Sequence, residues 1–327
     1  MGFWASKTLL VAVKLGLFTE LAQGPMSGAA IKDRLGLHER ALYDFLDALV
    51  ALGFLERTGI LGDAIYSNAP DVDLFLDKNK PSYMGGILEM MDSRSYDLWS
   101  RLEDGLKSGL LQNEARLTGK GIFEAIYSDD AHLRGFLNAM SGIQMGNFIA
   151  FAERFDFSGH ARHCDIGGAG GQLAIQVARH NPDVQGASFD LPKVTEVAAE
   201  NIAAAGLSSR VQALAGDMFS DPFPNADIIT MGSILHDWNL EQKRLLVRKA
   251  FEALPDGGAF AVIETIIDDE RRSNVFGLLM SVNMLLETTG GFDYSAADFK
   301  AWALEAGFLR VEVMPLTGPS SAVIAYK

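Results

Sequence analysis

The sequence has a single cysteine, Cys164, among its 327 residues. Intrachain disulfides are therefore excluded, and a reducing compartment, the cytoplasm, is expected. No apolar run reaches the roughly 18 residues that a membrane-spanning helix needs, and no signal peptide is evident. Basic residues are scarce, since 28 Lys and Arg stand against 42 Asp and Glu and give a formal net charge of −14. This charge argues against nucleic acid and against a membrane surface as partners.

The sequence also has no histidines or cysteines at a spacing typical of metal sites. Among the six histidines, His160 and His163 lie close together, but they precede a predicted strand, which is a poor setting for a metal. We therefore expect no metal. Apolar residues, by contrast, make up 48% of the chain. This fraction and the length of the chain are enough for two domains with large cores.

The most informative motif lies at residues 163–173. A short apolar segment ends in Asp165, four glycines follow among residues 167–171, and a helical pattern then begins at Leu173. A strand, a glycine turn and a helix in this order bring bare backbone N–H groups close to a ligand. The third glycine of the dinucleotide fingerprint is absent, and an acid stands directly before the loop. Both features favour S-adenosylmethionine, which carries no phosphate, over the dinucleotide of an oxidoreductase.

Three further strand ends carry polar residues or glycine. The second predicted strand ends at Asp190, where a doubly wound fold places an acid that accepts hydrogen bonds from ribose hydroxyls. The third is followed by residues 216–219, in which an acid stands beside two apolar side chains that suit a purine ring. The fourth leads into residues 232–238, which contain His236. Because ligands of open α/β sheets bind across the carboxyl ends of strands, the sequence predicts a doubly wound α/β fold with its site at this edge.

The N-terminal third has a different pattern. Its predicted elements are helices at residues 9–21, 27–35 and 39–52 and a hairpin made of residues 54–57 and 64–67. Ser27 is the expected N-cap of the second helix, and Gly36 its end. This order is typical of a winged-helix domain, which raises the hypothesis of a ligand-sensing DNA-binding regulator. A DNA reader needs a basic recognition helix, however, and this one carries Asp44 and Asp47, so we expect a scaffold and dimerisation role.

Several motifs, taken in order, resemble those of the caffeate and acetylserotonin type of S-adenosylmethionine-dependent O-methyltransferases. They are Asp165–Gly171, Phe189–Pro192, Gly216–Phe219, Ile234–Trp238, Leu254–Gly258, Ala259–Glu264 and Ser281–Leu286. The resemblance covers nearly the whole chain. It implies a Rossmann-like sheet of seven strands, the last antiparallel, and a homodimer formed by a winged-helix-like domain. The domains expected from it are residues 1–90 for dimerisation, 91–156 as a helical connector that lines the active site, and 157–327 for catalysis.

The resemblance also assigns roles to individual residues. Those expected to bind the donor are Asp165, Gly167 and Gly168 at its methionine part, Asp190 and Leu191 at its ribose, Gly216, Asp217, Met218 and Phe219 at its adenine, and Ser233 in the loop after the fourth strand. Those expected to line the acceptor pocket are Met140, Met280, Asn283 and Met284. His236 matches the general base, and Glu264 matches an acid that braces it. Asp293 stands where many relatives have a second bracing glutamate.

The expected function is O-methylation of a phenolic or enolic hydroxyl on a small aromatic metabolite, in a bacterial-style secondary-metabolite pathway, with S-adenosylhomocysteine as the second product. Histidine suits the removal of such a proton because its ordinary pKa is about 6.5. Three alternatives remain open from the sequence. The first is C-methylation of an activated aromatic or α-keto acid carbon. The second is a relative that keeps the donor as a structural element and hydroxylates or decarboxylates, and the third is the DNA-binding regulator.

Overall fold

A computed structural model describes residues 2–113, Arg116 and residues 129–327, apart from the side chain of Ala131. The chain separates into two compact units. The first comprises residues 1–97 and 138–143, and the second comprises residues 98–137 and 144–327. The connector expected at residues 91–156 is divided between the units, and its residues 114–115 and 117–128 lie outside the described part. The domain boundaries at 90 and 156 therefore stay predictions.

The first unit combines short helices with a three-stranded antiparallel sheet. Its strands, in the spatial order β1-β3-β2, are β1 (Met26–Ser27), β2 (Leu55–Thr58) and β3 (Ile65–Asn68). Its helices are α1 (Gly2–Lys14), α2 (Leu17–Leu21), α3 (Gly28–Leu35), α4 (Leu42–Ala51), α5 (Pro70–Leu76) and α6 (Gly85–Met90), followed by a π-helical turn (Met91–Ser95) and by α7 (Tyr96–Trp99), where the unit ends. The fully buried core includes Leu17, Phe18, Leu46, Leu49 and Tyr66.

Local sequence signals explain where these helices begin and end. The Ser27 side chain accepts a hydrogen bond from the backbone N–H of Ala30 (3.2 Å) and caps α3, which ends at the left-handed Gly36, as predicted. The expected single helix over residues 9–21 is wrong, because Gly16 adopts φ 75° and separates α1 from α2. The helix expected from residue 39 begins at Leu42, since Ala41 before it is also left-handed.

The second unit contains a seven-stranded sheet. Its strands are β4 (Arg162–Ile166), β5 (Gln185–Asp190), β6 (Val211–Ala215), β7 (Ile228–Gly232), β8 (Ala259–Glu264), β9 (Arg310–Pro315) and β10 (Ser321–Tyr326). They lie in the order β6-β5-β4-β7-β8-β10-β9, and β10 runs antiparallel to both neighbours. Pairs from β6 through β8 are parallel. This topology confirms the predicted doubly wound fold with an antiparallel closing strand.

Helices complete the second unit. They are α8 (Leu102–Ser108), α9 (Asp130–Arg154, shared with the first unit), α10 (Gln172–His180), α11 (Pro192–Ala204), α12 (Leu240–Ala253), α13 (Val275–Glu287) and α14 (Ala296–Ala306), with a 3₁₀ turn at Leu235–Asp237. Every residue of β8 is buried, which is typical of a central strand. No helix in the part of the chain that the structure describes has the length and apolarity needed to cross a membrane.

The topology determines where a ligand binds. The chain moves outward from β4 through β5 to β6 and then returns to β7 on the other side of β4. Loops after β4 and β7 therefore diverge and leave a crevice at the carboxyl ends of these strands. The glycine turn follows β4, and His236 follows β7. The two motifs with the clearest chemistry thus lie at the same topological switch point.

Candidate active site

The turn after β4 is packed too closely against its neighbours for side chains. At Gly167, φ is 69°, and a Cβ atom there would lie 2.4 Å from Cδ1 of Ile234. At Gly168, a Cβ atom would lie 2.2 Å from Oγ of Ser188. Both distances are well below van der Waals contact, so a side chain at either position would force its neighbours apart. The approach of Ile234 also shows that the glycine turn contacts the loop that carries His236.

Asp190, at the end of β5, secures this turn. Its Oδ2 accepts a hydrogen bond from the backbone N–H of Ala169 (2.9 Å), and its Oδ1 accepts one from that of Leu191 (2.7 Å). Burial raises the pKa of Asp190 to about 6, although both hydrogen bonds act in the opposite direction. Leu191 is 36% exposed beside it. The carboxylate therefore shapes the glycine turn and also presents acceptor oxygens at the strand end.

Asp165 lies deeper than the sequence suggests. It is 3% exposed, and its Oδ1 accepts a hydrogen bond from Oγ1 of Thr230 on β7 (2.7 Å). Nε2 of His163 lies 2.8 Å from the same Thr230 hydroxyl. The other oxygen, Oδ2, lies 3.1 Å from where a Cβ of Gly168 would be. Burial raises the pKa of Asp165 to about 7. In the structure the Asp165 side chain packs beneath Gly168 and supports the glycine turn. Its contact with an amino group of the ligand stays a prediction.

The segment after β6 is held from helix α12. Nζ of Lys249 donates hydrogen bonds to the backbone carbonyls of Met218 (2.6 Å), Phe219 (3.1 Å) and Asp221 (2.6 Å). Asp217 turns the segment, because its Oδ1 accepts from the N–H of Phe219 (2.9 Å). The lysine thus fixes the backbone on which the expected adenine-binding side chains are mounted.

Two aromatic contacts connect this segment to its surroundings. A Cβ at Gly216 would lie 2.4 Å from the ring of Phe189, so the chain turns directly over that ring. The ring of Phe219 packs edge-on against that of Trp238, with centroids 4.6 Å apart. The predicted adenine loop therefore contacts the loop that follows β7.

His236 lies between two carboxylates. Its Nδ1 is 3.4 Å from Oδ1 of Asp293, and its Nε2 is 3.6 Å from Oδ1 of Asp237. The His236 side chain is 13% exposed, whereas that of Asp293 is 2% exposed. Asp293 is itself positioned by α13, since its backbone N–H donates to Oγ of Ser281 (3.1 Å). The structure thus brings Asp293 to the imidazole, although its side chain is one methylene shorter than glutamate.

The charges around His236 determine its protonation. Burial alone would lower its pKa, but the charge of Asp237, the hydrogen bond to Asp293 and the charge of Glu264 together raise the pKa to about 10. Burial also raises the pKa of Asp237 to about 6, against the effect of the imidazolium. The acids around the imidazole therefore favour its protonated form.

Glu264 accepts hydrogen bonds from the backbone of the His236 turn, in addition to its effect on the charge of the imidazole. Its Oε1 accepts hydrogen bonds from the N–H groups of Ile234 (3.1 Å), Leu235 (2.7 Å) and His236 (3.3 Å). These are the free N–H groups at the start of the 3₁₀ turn that carries the histidine. Glu264 is 2% exposed, so its carboxylate is a buried anchor for the turn. Glu264 thus holds the turn that carries His236, and its role as the acid that braces the base stays a prediction.

Ser233 lies in the same loop and is held by strand β8 and helix α9. It adopts φ 54°, its N–H donates to the carbonyl of Ile263 (3.0 Å), and its Oγ accepts a hydrogen bond from Nε2 of Gln144. Asn147 in turn donates to the amide oxygen of Gln144 (2.9 Å). The Ser233 hydroxyl is therefore oriented by α9, and its contact with the donor stays a prediction.

The residues expected to line the acceptor pocket differ in burial and in the unit to which they belong. Oδ1 of Asn283 accepts a hydrogen bond from Nε1 of Trp99 (2.8 Å), which fixes its carboxamide. Met280 and Met284 stand one turn apart on α13; Met280 is partly exposed and Met284 is 5% exposed. Met140 belongs to the first unit, so its assignment to the pocket stays a prediction.

Sequence reasoning missed two residues of this site, Trp99 and Lys243. Lys243 on α12 is fully buried, and Nζ donates to the carbonyl of Trp238. A signal for it exists in the sequence, because Lys243 falls on the same helical stripe as the buried Leu246 and Val247. Among the described residues, no group of three or more His, Cys, Asp or Glu is arranged to hold a metal.

The chain is similar to known methyltransferases in both of its parts. A family model of the O-methyltransferase domain matches residues 99–309, and one of the O-methyltransferase dimerisation domain matches residues 1–78. The tetracenomycin polyketide synthesis 8-O-methyl transferase TcmO of Streptomyces glaucescens is 38% identical over 327 residues, which are 100% of this chain and 94% of that protein.

Two further relatives widen the range of reactions. The N,N-dimethyltransferase OxyT of Streptomyces rimosus is 35% identical over 93% of this chain and 87% of its own length. The 3-hydroxy-5-methyl-1-naphthoate 3-O-methyltransferase of Streptomyces sahachiroi is 31% identical over 98% of this chain and 90% of its own length.

A solved structure agrees with the sequence relatives. Human N-acetylserotonin methyltransferase in complex with S-adenosylmethionine has a TM-score of 0.91 at 28% identity, covering 100% of this chain and 94% of that one. The motif resemblance and the predicted donor are thereby confirmed. The chain belongs to the family of S-adenosylmethionine-dependent O-methyltransferases.

Proposed function

We propose that this protein methylates a hydroxyl group of an aromatic, polyketide-type metabolite, with His236 as the general base. The observation that carries the proposal is the imidazole held between Asp293 and Asp237 in a loop that contacts the glycine turn. A base beside the donor turn is what an in-line methyl transfer to a protonated acceptor requires. Two relatives named above methylate oxygen, one in polyketide synthesis and one on a hydroxynaphthoate.

The residues at the switch point suit the donor. The glycine turn at Gly167 and Gly168 is assigned to the methionine part, and the Asp190 carboxylate suits the ribose hydroxyls. Leu191 flanks the ribose, Asp165 supports the turn, Ser233 lies in the facing loop, and Gly216, Asp217, Met218 and Phe219 form the adenine side. When bound, the donor supplies a methyl group on a sulfonium, which is electrophilic without further activation.

The acceptor must be deprotonated, and the geometry supports His236 for that task. Asp293 engages Nδ1, so Nε2 is the nitrogen that takes the proton of the acceptor hydroxyl. A phenol and the imidazolium of His236 have similar pKa values, near 10. Once the imidazole is neutral, proton transfer between such partners is close to balanced. Glu264 keeps the turn rigid while the imidazole changes charge.

An amine is the second candidate acceptor, because OxyT is named an N,N-dimethyltransferase. The elevated pKa of His236 favours a hydroxyl instead. A neutral aromatic amine is already nucleophilic, whereas a phenol gains its reactivity only on losing a proton. The carboxylates around the imidazole stabilise the imidazolium that this proton transfer produces.

The remaining assignments complete the proposal. Met140, Met280, Asn283 and Met284 line the acceptor pocket, where thioethers suit a flat ring. Residues 1–90 form a homodimer, an assignment supported by the match of residues 1–78 to a dimerisation domain. Residues 91–156 connect this domain to the catalytic residues 157–327.

Product analysis tests the proposed function. The protein is incubated with S-adenosylmethionine and matched naphthalene-type acceptors that carry a hydroxyl, an amine or neither. Mass spectrometry and NMR are expected to show one added methyl group on oxygen and a requirement for the hydroxyl. Methylation of nitrogen or carbon, with the hydroxyl untouched, would overturn the proposal and leave the family assignment intact.

The pH dependence is a prediction of its own. The free enzyme holds His236 as an imidazolium below pH 10, so acceptor activation requires the loss of one proton to the solvent. We expect kcat/KM to rise about tenfold per pH unit between pH 7 and 9 and to level near pH 10. Asp293→Asn removes a group that raises the pKa of His236, so the rise should move to lower pH. Stopped assays in overlapping buffers measure both profiles.

Calorimetry provides a control for this interpretation. Acceptor binding at pH 7.5 is expected to release a proton, seen as a heat that depends on the ionisation enthalpy of the buffer. A flat rate profile without proton release would mean that His236 is already neutral in the free enzyme. General-base catalysis by an imidazole of raised pKa would then be wrong.

A further inference from the structure

Lys243 is a buried basic residue next to the segment that carries His236. It lies on α12 in the apolar stripe with Leu246, Val247 and Ala250, and it is fully buried. Placing an ammonium group in such surroundings is costly unless partners replace its water. The partners of Lys243 therefore show what it does.

Those partners belong to the two segments that carry His236 and Asp293. Nζ of Lys243 donates a hydrogen bond to the carbonyl of Trp238, two residues after the histidine. The same ammonium lies 3.8 Å from the ring centroid of Phe292 and 5.7 Å from that of Tyr294. These two rings flank Asp293 in the sequence. One side chain thus contacts the segment that carries His236, through a hydrogen bond, and the segment that carries Asp293, through cation–π contacts.

The charge balance of the site gives Lys243 a second effect. The buried acids that face it are Asp237, Glu264 and Asp293, and the ring of Tyr294 lies beside it. Three acids around one imidazole favour an excess of negative charge in a medium that screens poorly. The ammonium reduces this excess. Burial lowers the pKa of Lys243 to about 8, while the carboxylates oppose the decrease, so the group is charged at neutral pH.

We propose that Lys243 is a positioning residue for methyl transfer, which joins the His236 turn to the Asp293 segment and places a compensating positive charge beside the buried acids of the site. The catalytic part of this inference rests on the proposed role of His236. The electrostatic part concerns the free protein alone.

Two variants separate the contact from the charge. Lys243→Met removes both and preserves an unbranched apolar stem, whereas Lys243→Gln removes the charge but keeps a donor for the Trp238 carbonyl. The matched control is Arg244→Met, which removes a cation from the next position of the same helix. Arg244 is exposed, and Nε of its guanidinium lies 3.3 Å from Oε2 of Glu305, which is also exposed. Thermal unfolding and binding of S-adenosylhomocysteine report whether each variant is folded.

The first readout is the titration of the Asp237 carboxyl by ¹³C NMR in the free protein. Its pKa is about 6, and loss of the nearby cation destabilises the carboxylate. The midpoint should therefore rise by about one pH unit in both Lys243 variants. It should not move in Arg244→Met. An unchanged midpoint in Lys243→Gln, or an equal shift in the control, would overturn the electrostatic role.

The second readout is the pH profile of methyl transfer. Loss of the neighbouring cation disfavours the loss of the His236 proton, but Lys243 is itself charged only below about pH 8. The rate at pH 7.5 should therefore fall about tenfold, while the limb above pH 9 stays in place. Lys243→Gln should retain the native plateau at high pH, whereas Lys243→Met should show a lower one. An equal loss of the methyl-transfer rate at every pH in both variants would mean that Lys243 has only a structural role. If the native protein methylates no hydroxyl, the proposed function is wrong, and the NMR titration still decides the charge role.

Discussion

Replacing His236 with glutamine should lower turnover by about 10²–10⁴-fold while leaving the affinity for S-adenosylhomocysteine unchanged. Glutamine keeps a polar side chain opposite Asp293 but has no basic nitrogen that can take the acceptor proton. The donor site does not include His236, so ground-state binding of the donor should not change. Turnover is measured at saturating acceptor, and donor affinity by calorimetry on the same sample.

Stability requires a separate control in this variant. The imidazolium of His236 lies among the buried carboxylates of Asp237, Asp293 and Glu264, and its removal leaves them uncompensated. We expect a lower Tm at neutral pH that recovers as the carboxyls become protonated on acidification. Adding Asp293→Asn to His236→Gln should restore stability without restoring turnover. If the single variant turned over within a few fold of the native protein, proximity of donor and acceptor would be the whole mechanism.

The order of strands at the switch point could be predicted from sequence, because its signals are local. Acids or glycines follow four apolar segments at regular intervals, and each such segment became a parallel strand. The cap of α3 at Ser27 and its end at Gly36 are equally local, since both depend on residues within one turn. Gly16 shows the limit of this approach, because an apolar pattern continues across it while its backbone does not stay helical.

The polar contacts of the site could not be predicted in the same way. Glu264 lies 30 residues from Ile234 in sequence, and Trp99 lies 184 residues from Asn283. Such pairs depend on which strands and helices become neighbours, not on any periodicity. The family resemblance placed Glu264 at the base, but only the fold shows that its Oε1 holds backbone N–H groups. The burial of Lys243 likewise depends on rings that come from the segment around Asp293.

A second large effect is expected at Asp190. Asp190→Ala should weaken binding of S-adenosylhomocysteine by about 100-fold, because it removes a charged acceptor for the ribose and releases the N–H groups of Ala169 and Leu191. Calorimetric titration of the native protein and the variant measures the ratio. The pKa of Asp190 is about 6, raised by burial, so the native affinity should itself fall as the pH decreases through 6 and the carboxylate is protonated.

Asp227 offers a matched control at the amino ends of the strands, just before β7 begins. Its Oδ2 accepts hydrogen bonds from the backbone N–H groups of Ala161 (2.8 Å) and Arg162 (2.9 Å). Asp227→Ala therefore removes an acid with the same kind of backbone contacts, but at the amino ends of the strands. It should lower Tm and leave donor affinity unchanged. Equal losses of affinity in both variants would mean that Asp190 acts through the stability of the sheet, whereas a loss confined to Asp190→Ala would locate the ribose contact at the carboxyl end of β5.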